Sequence, residues 1–335
     1  MNTRERFRAV INFEPFDRLP IIEWAMWWDQ TLTRWHREGL PDVGPIHHAA
    51  DGVVVQRYFG QDLHYQDWLY PRGTGCPVPP AHGAPVIETL ADYERIRKYL
   101  WRWPAVDLEK WKRWAEVQAR GEAILWFTVE GFFWMPRWLM GIEGHMLGFY
   151  DQPELIHRIN ADLAEWMLRC TEAICSVCTP DFMTFAEDMS YNHGPMLSRE
   201  LFDEFLLPYY QRVIPELNRR GIPAIVDSDG DITTAWQWFE AAGLTGILPL
   251  ERQAGVDVAL LRQRHPRAVF IGCFDKLVMH RGEAAIRAEF ERLLPVAKTG
   301  GLIISVDHQT PPGVSLADYR LYLRLFHEYA ERAGK

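Results

Sequence analysis

The chain has 335 residues, 48% hydrophobic and 24% charged, with 45 acidic against 36 basic side chains and a formal charge of −9. This is the composition of a globular protein with ample apolar mass, and the acidic balance without basic clusters excludes a phosphate-neutralising role on nucleic acid. No run of about 18 apolar residues occurs, so no membrane span is expected, and five cysteines, an odd number, fit reduced thiols in the cytoplasm.

The N-terminus, Met1-Asn2-Thr3-Arg4-Glu5-Arg6, leads into a helical pattern over 4–12 instead of an apolar signal core. A strand is expected over 19–24 and a weaker one over 52–55. The stretch from about 58 to 105, rich in Pro, Gly and aromatic residues, reads as an irregular insertion near the mouth of the fold. A strong strand follows over 123–128, then a long helix from Pro153 to about Ser176 and a strand over 182–186. One long helix is expected over 198–220. After it come strands over 222–226, 246–250, 268–272 and 302–306, separated by helices near 232–242, 256–264 and 283–297. A last helix over 315–332 has Ser315 as its N-cap.

Apolar strands separated by helices mean a parallel sheet covered on both faces. Eight such units predict an α/β fold, a closed (β/α)8 TIM barrel, as a single domain over 1–335. The open doubly wound alternative would carry a Gly-rich first turn, and no G-x-G-x-x-G occurs.

In such a barrel, function gathers at the C-terminal ends of the strands. Those ends are acidic: Glu23 beside Trp24, Glu130, Glu187 with Asp188, Asp227 and Asp229, Glu251, Asp275, and Asp307 beside His308. Asp227 and Asp229 lie two apart at the end of an extended segment, so their side chains point to one side. Two close carboxylates raise each other's proton affinity unless a cation or donor sits between them. Asp227, Asp229 and His308 make an O, O, N set suited to a divalent metal. Without metal, the same set can do acid–base work or grip a cationic substrate. Asp231 has a simpler reading, as a cap for the following helix.

Fifteen tryptophans are many, and Trp24, Trp27 and Trp28 are placed to wall a pocket. Asp227-x-Asp229-x-Asp231 departs from a calcium loop, having Ile232 in place of the loop glycine and Trp238 in place of the closing Glu. Cys170, Cys175 and Cys178 have an iron–sulfur-like spacing, but no fourth Cys follows at a suitable distance.

Together these residues resemble the uroporphyrinogen decarboxylase superfamily. The resemblance runs through Asp17-Arg18-Leu19-Pro20, the segment from Glu130 to Tyr150, Asp188 through Phe205, Gly272-Cys273-Phe274-Asp275, and Asp307-His308 with Pro311-Pro312. The family fold is a (β/α)8 barrel. Its true decarboxylases share an Arg-rich segment after the first strand that grips substrate carboxylates. Here that place reads Glu23-Trp24-Ala25-Met26-Trp27-Trp28-Asp29, without arginine. The other branch, cobalamin-linked methyltransferases, carries zinc on a His-x-Cys pair and a later Cys. Those positions correspond to Asp227-x-Asp229 and His308.

The resemblance therefore implies a methyltransferase-like enzyme that moves a methyl group between a small methylated substrate and a corrinoid-type acceptor on a partner protein. Asp227, Asp229 and His308 would hold a divalent metal, zinc foremost, or polarise the substrate. Glu187 and Glu251 would be supporting or acid–base groups. Trp24, Trp27 and Trp28, with Glu23, Glu130, Asp188 and Tyr191, would bind substrate. The alternatives are a decarboxylase of uroporphyrinogen or a smaller acid, working without metal or cofactor, and a non-catalytic binding protein on the same barrel. Rim acids gathered in one pocket would favour an enzyme; dispersed acids paired with Arg would favour the binding protein. A small-molecule substrate is expected, with neither nucleic acid nor membrane as partner; a homodimer stays open.

Overall fold

Seven strands form one sheet: β1 (Leu63–Leu69), β2 (Ala123–Glu130), β3 (Phe182–Ala186), β4 (Ala224–Asp227), β5 (Gly246–Leu248), β6 (Val269–Phe274) and β7 (Leu302–Val306). The computed structural model describes residues 1–25, 27–41 and 52–334. The spatial order of the strands is their chain order, and every neighbouring pair is parallel. A doubly wound sheet reverses its order at a switch point; this one never does. Every position of β2 and β3 is buried, as expected of parallel strands with both faces covered. One hydrophobic cluster joins Phe7 on the first helix to Ala333 on the last.

Eight strands are expected, and two of them, over 52–55 and 19–24, do not form. Residues 52–55 do not form a strand; Val53–Tyr58 is a helix, tied to β1 where Gln56 Oε1 accepts from the His64 amide at 3.1 Å. The supposed irregular stretch 58–105 contains β1 and the helix Leu90–Ile96. β1 hides in the sequence because three of its five buried side chains, His64, Gln66 and Asp67, are polar. Gln66 donates to Thr128 at 2.8 Å, and Asp67 accepts from Trp111 Nε1 at 2.8 Å and Lys110 Nζ at 2.7 Å.

The segment 19–24, expected as the first strand, makes no ladder. Its amides turn to side chains: Pro20 has no N–H to offer, the Ile21 amide donates to Asp62 Oδ2 at 2.8 Å, and the Trp24 amide donates to Ser305 Oγ at 3.1 Å, while a backbone bond runs from the Asp62 amide to the Ile21 carbonyl at 2.9 Å. Glu23 Oε2 accepts from the Val306 amide at 3.0 Å and Ser305 Oγ at 2.8 Å. The segment thus touches both margins of the sheet, β1 through its neighbour Asp62 and β7 through Ser305 and Val306.

The helix expected over 198–220 is broken at Leu206 into Arg199–Phe205 and Leu207–Arg219. Pro208, in the first turn of the second helix, cannot donate back to the first. The helix after β4 begins only at Trp236. Asp231 instead makes a local turn, accepting from the Thr233 amide at 3.0 Å. β6 runs further than expected, which buries Cys273 inside it.

Candidate functional site

A cavity of about 530 Å³ lies where the strands end. β1 and the residues after it supply Gln66, Trp68, Tyr70 and Arg72, spaced two apart so that one face points inward. The helix Trp134–Met140 supplies Trp134 and Trp138, four apart on one helical face. Trp24 and Ala25 close the side nearest β7. Asp188, Asp227, Asp229 and His308 bring the acids and the imidazole.

Of the residues expected at a site, six line this cavity: Trp24, Glu130, Asp188, Asp227, Asp229 and His308. The others lie elsewhere. Trp27 is in the core against Trp35, Phe59 and Tyr319, and Trp28 is exposed. Tyr191 is exposed on a small hairpin formed by Ser190–Tyr191 and Gly194–Pro195. Glu23 is buried at the junction with β7. Glu187 is fully buried behind the wall, where it accepts from the Phe132 amide at 2.8 Å, the Phe133 amide at 2.7 Å, the Trp134 amide at 3.3 Å and the Tyr210 hydroxyl. A Cβ on Gly131 would sit 2.1 Å from Glu187 Cδ, so only glycine lets the chain pass this carboxyl. Glu187 thereby fixes the start of the helix that carries Trp134 and Trp138. Glu251 stands just behind the acids, accepting from the Gly230 amide at 3.0 Å.

Sequence reasoning missed Gln66, Trp68, Tyr70 and Arg72, and did not single out Trp134 and Trp138 among the fifteen tryptophans. The alternation 66, 68, 70, 72 was the available signal. Arg72 donates through both terminal nitrogens to Glu130, one bond at 2.6 Å, and its guanidinium lies 4.2 Å from the Trp138 ring centre.

The acids crowd one another. Burial, followed by the charges of Asp188 and Asp229, holds the Asp227 carboxyl well above the usual carboxylate range. No hydrogen bond from a described residue offsets this shift. Asp229 is pushed up to about 7, first by burial and then by Asp188 and Glu251. Asp188 is raised by burial, against the Asp229 amide that donates to it at 3.2 Å. Its backbone adopts φ +40°, uncommon for a non-glycine residue, and Arg137 Nη1 holds its carbonyl at 2.9 Å. His308 Nε2 stands 3.7 Å from Asp229 Oδ2. Burial and then Lys276 lower its affinity for a proton. The Lys276 ammonium is itself engaged by Asp307 at 3.1 Å and Gln253 at 2.6 Å.

These donors do not fit a preformed zinc centre. Among the described residues no three His, Cys, Asp or Glu side chains converge closely enough to hold a metal ion. The soft thiolates that suit zinc activation of a thiol are missing as well. The wall carries instead carboxyls of raised proton affinity, an imidazole and aromatic faces.

The family model for uroporphyrinogen decarboxylase (URO-D) matches residues 110–329. The chain belongs to this family. Among solved structures, a methyltransferase from Methanosarcina mazei is 15% identical, with a TM-score of 0.69, and the match covers 98% of this chain and 99% of that one. At that identity the likeness shows a shared fold. A protein described as a vitamin-B12-independent methionine synthase from Listeria monocytogenes is 11% identical, with a TM-score of 0.45, over 95% of this chain and 98% of its own; it is too distant to bear on chemistry. No curated protein matches the chain. No described helix is long and apolar enough to cross a membrane.

Proposed function

We propose that this URO-D family member is an enzyme that takes a methyl group from a small methylated ammonium compound and passes it to a nucleophilic acceptor. The observation that carries this reading is one cavity with aromatic walls and an acid side. Trp24, Trp68, Tyr70, Trp134 and Trp138 share it with Asp188, Asp227 and Asp229. Aromatic faces attract organic cations, and clustered carboxyls with raised proton affinity ionise more readily when a cation arrives. On this reading the segment 19–24 completes a (β/α)8 barrel in place of an eighth ladder strand.

Transfer breaks an N–CH3 bond and leaves its electron pair on nitrogen. The acceptor, a corrinoid carried by a partner protein on the family resemblance, supplies the electron pair of the new bond. The aromatic faces and the acids hold the ammonium in place. The amine leaves neutral, and Asp229, ionised while the cation is bound, then recovers a proton, with His308 Nε2 at 3.7 Å placed to relay it from solvent. Uroporphyrinogen itself suits the cavity poorly. Three aspartates would face its carboxylates, and a single Arg, Arg72, stands among the described lining residues to meet so many of them.

Calorimetric titration with tetramethylammonium tests the reading. Binding is expected, weakened on the order of tenfold by Asp229→Asn, and unchanged by zinc or a chelator. Failure of the folded protein to bind any methylated ammonium, or turnover of uroporphyrinogen, would overturn it.

A further inference from the structure

The cavity has two ends of different charge character. Register places Glu130 of β2 beside Ala186 of β3, and Ala186 beside Asp227 of β4. Neighbouring strands lie about 4.8 Å apart, so the backbones at Glu130 and Asp227 are roughly 10 Å apart. Ala186, with a single methyl, leaves the space between them open, and all three residues line the cavity.

At the β2 end the guanidinium of Arg72 is bonded to Glu130, packed over Trp138 at 4.2 Å and flanked by Tyr70 at 5.5 Å. These contacts hold it in a single position. A guanidinium has five N–H donors in a planar fork, and Glu130 takes two of them; the further contact to Met135 Sδ, at 4.0 Å, is weak. Glu130, buried and engaged at both oxygens, cancels the charge of Arg72 without using up its donors. A simple organic cation gains nothing from such a group. A carboxylate gains charge-assisted hydrogen bonds from an anchor whose ordering is already complete.

We infer that the substrate is a zwitterion, a methylated ammonium joined by a short spacer to a carboxylate, with the ammonium among the aromatic faces near Asp227 and Asp229 and the carboxylate on Arg72. This rests on the cation-binding reading above and adds the second charge and its partner. Arg72 is then the residue that sets specificity, and Ala186 the position that sets the length of the spacer.

Two ligands with the same cation separate the two ideas: butyltrimethylammonium and the trimethylammonio derivative of butyrate, titrated calorimetrically into the full chain at low ionic strength. The zwitterion should bind on the order of tenfold tighter. The double substitution Arg72→Gln with Glu130→Gln, which leaves no buried charge unpaired, should abolish the preference, so that the variant binds the zwitterion and the plain cation equally. Equal affinity of the wild-type protein for both ligands would overturn the zwitterion and leave the cation reading standing. Binding of neither would overturn both. If the double variant does not fold, the wild-type comparison alone decides.

Discussion

Asp229 is the residue whose ionisation links the site to stability. Its carboxyl would ionise at 3.8 when free in water and is pushed up to about 7 in the fold. Between those values the folded chain holds a proton that the unfolded chain has released, so stability falls as pH rises through that window. Asp229→Asn cannot ionise. Its urea midpoint should therefore gain on the wild type progressively from about pH 4 to about pH 7, and a difference constant over that range would show that Asp229 titrates as an ordinary carboxylate. At this scale the sequence was informative where alternation was respected. Asp227 and Asp229, two apart, do share the cavity. Ala186 and Asp188 line it while Glu187 between them turns away, and Trp24 lines it while Glu23 turns away. An acidic strand end marks the rim, but parity decides which acid faces in.

At the scale of elements, the site depends on short irregular pieces that no periodicity announces. The turn after β4 has Gly230 at φ +85°, and a Cβ there would meet the Ser190 carbonyl at 2.8 Å. The small hairpin thus presses on the turn that presents Asp229. Gly230→Ala should cost about 1–3 kcal/mol in urea unfolding and weaken tetramethylammonium binding; a variant of wild-type stability and affinity would show that the hairpin yields freely. β1 was missed for a related reason. Its sequence, Leu-His-Tyr-Gln-Asp-Trp-Leu, has no apolar run because its buried polar groups are paired across the fold, Trp126 Nε1 with His64 at 3.1 Å among them. Hydrophobicity alone cannot distinguish a paired buried polar residue from an exposed one. The apolar run 19–24 misled in the opposite sense, since its burial is real but the amides of Ile21 and Trp24 donate to side chains instead of to a neighbouring strand. The strands from β2 onward, apolar and regularly spaced, were legible.

For the whole molecule, the two margins of the sheet are joined by carboxylates instead of a ladder. Asp62 accepts from Arg18 at 2.6 Å and from Ile21, and Glu23 accepts from Ser305 and Val306. Glu23→Ala would strand the buried Val306 amide, at a cost of about 1–3 kcal/mol. Faster deuterium uptake should appear over 302–306 and 19–24 while β2 and β3 stay protected. Unchanged uptake would mean that β7 is held by its other neighbour, β6, alone.

This join also has a consequence for the guest. Trp24 gives its indole N–H to the Val306 carbonyl at 2.7 Å and its amide to Ser305, and the same ring is part of the cavity wall. A molecule stacked on that ring therefore leans on the lacing between the first and last segments of the fold. Occupancy and cohesion become one variable, and the melting temperature of the protein can act as a sensor of what the cavity accepts.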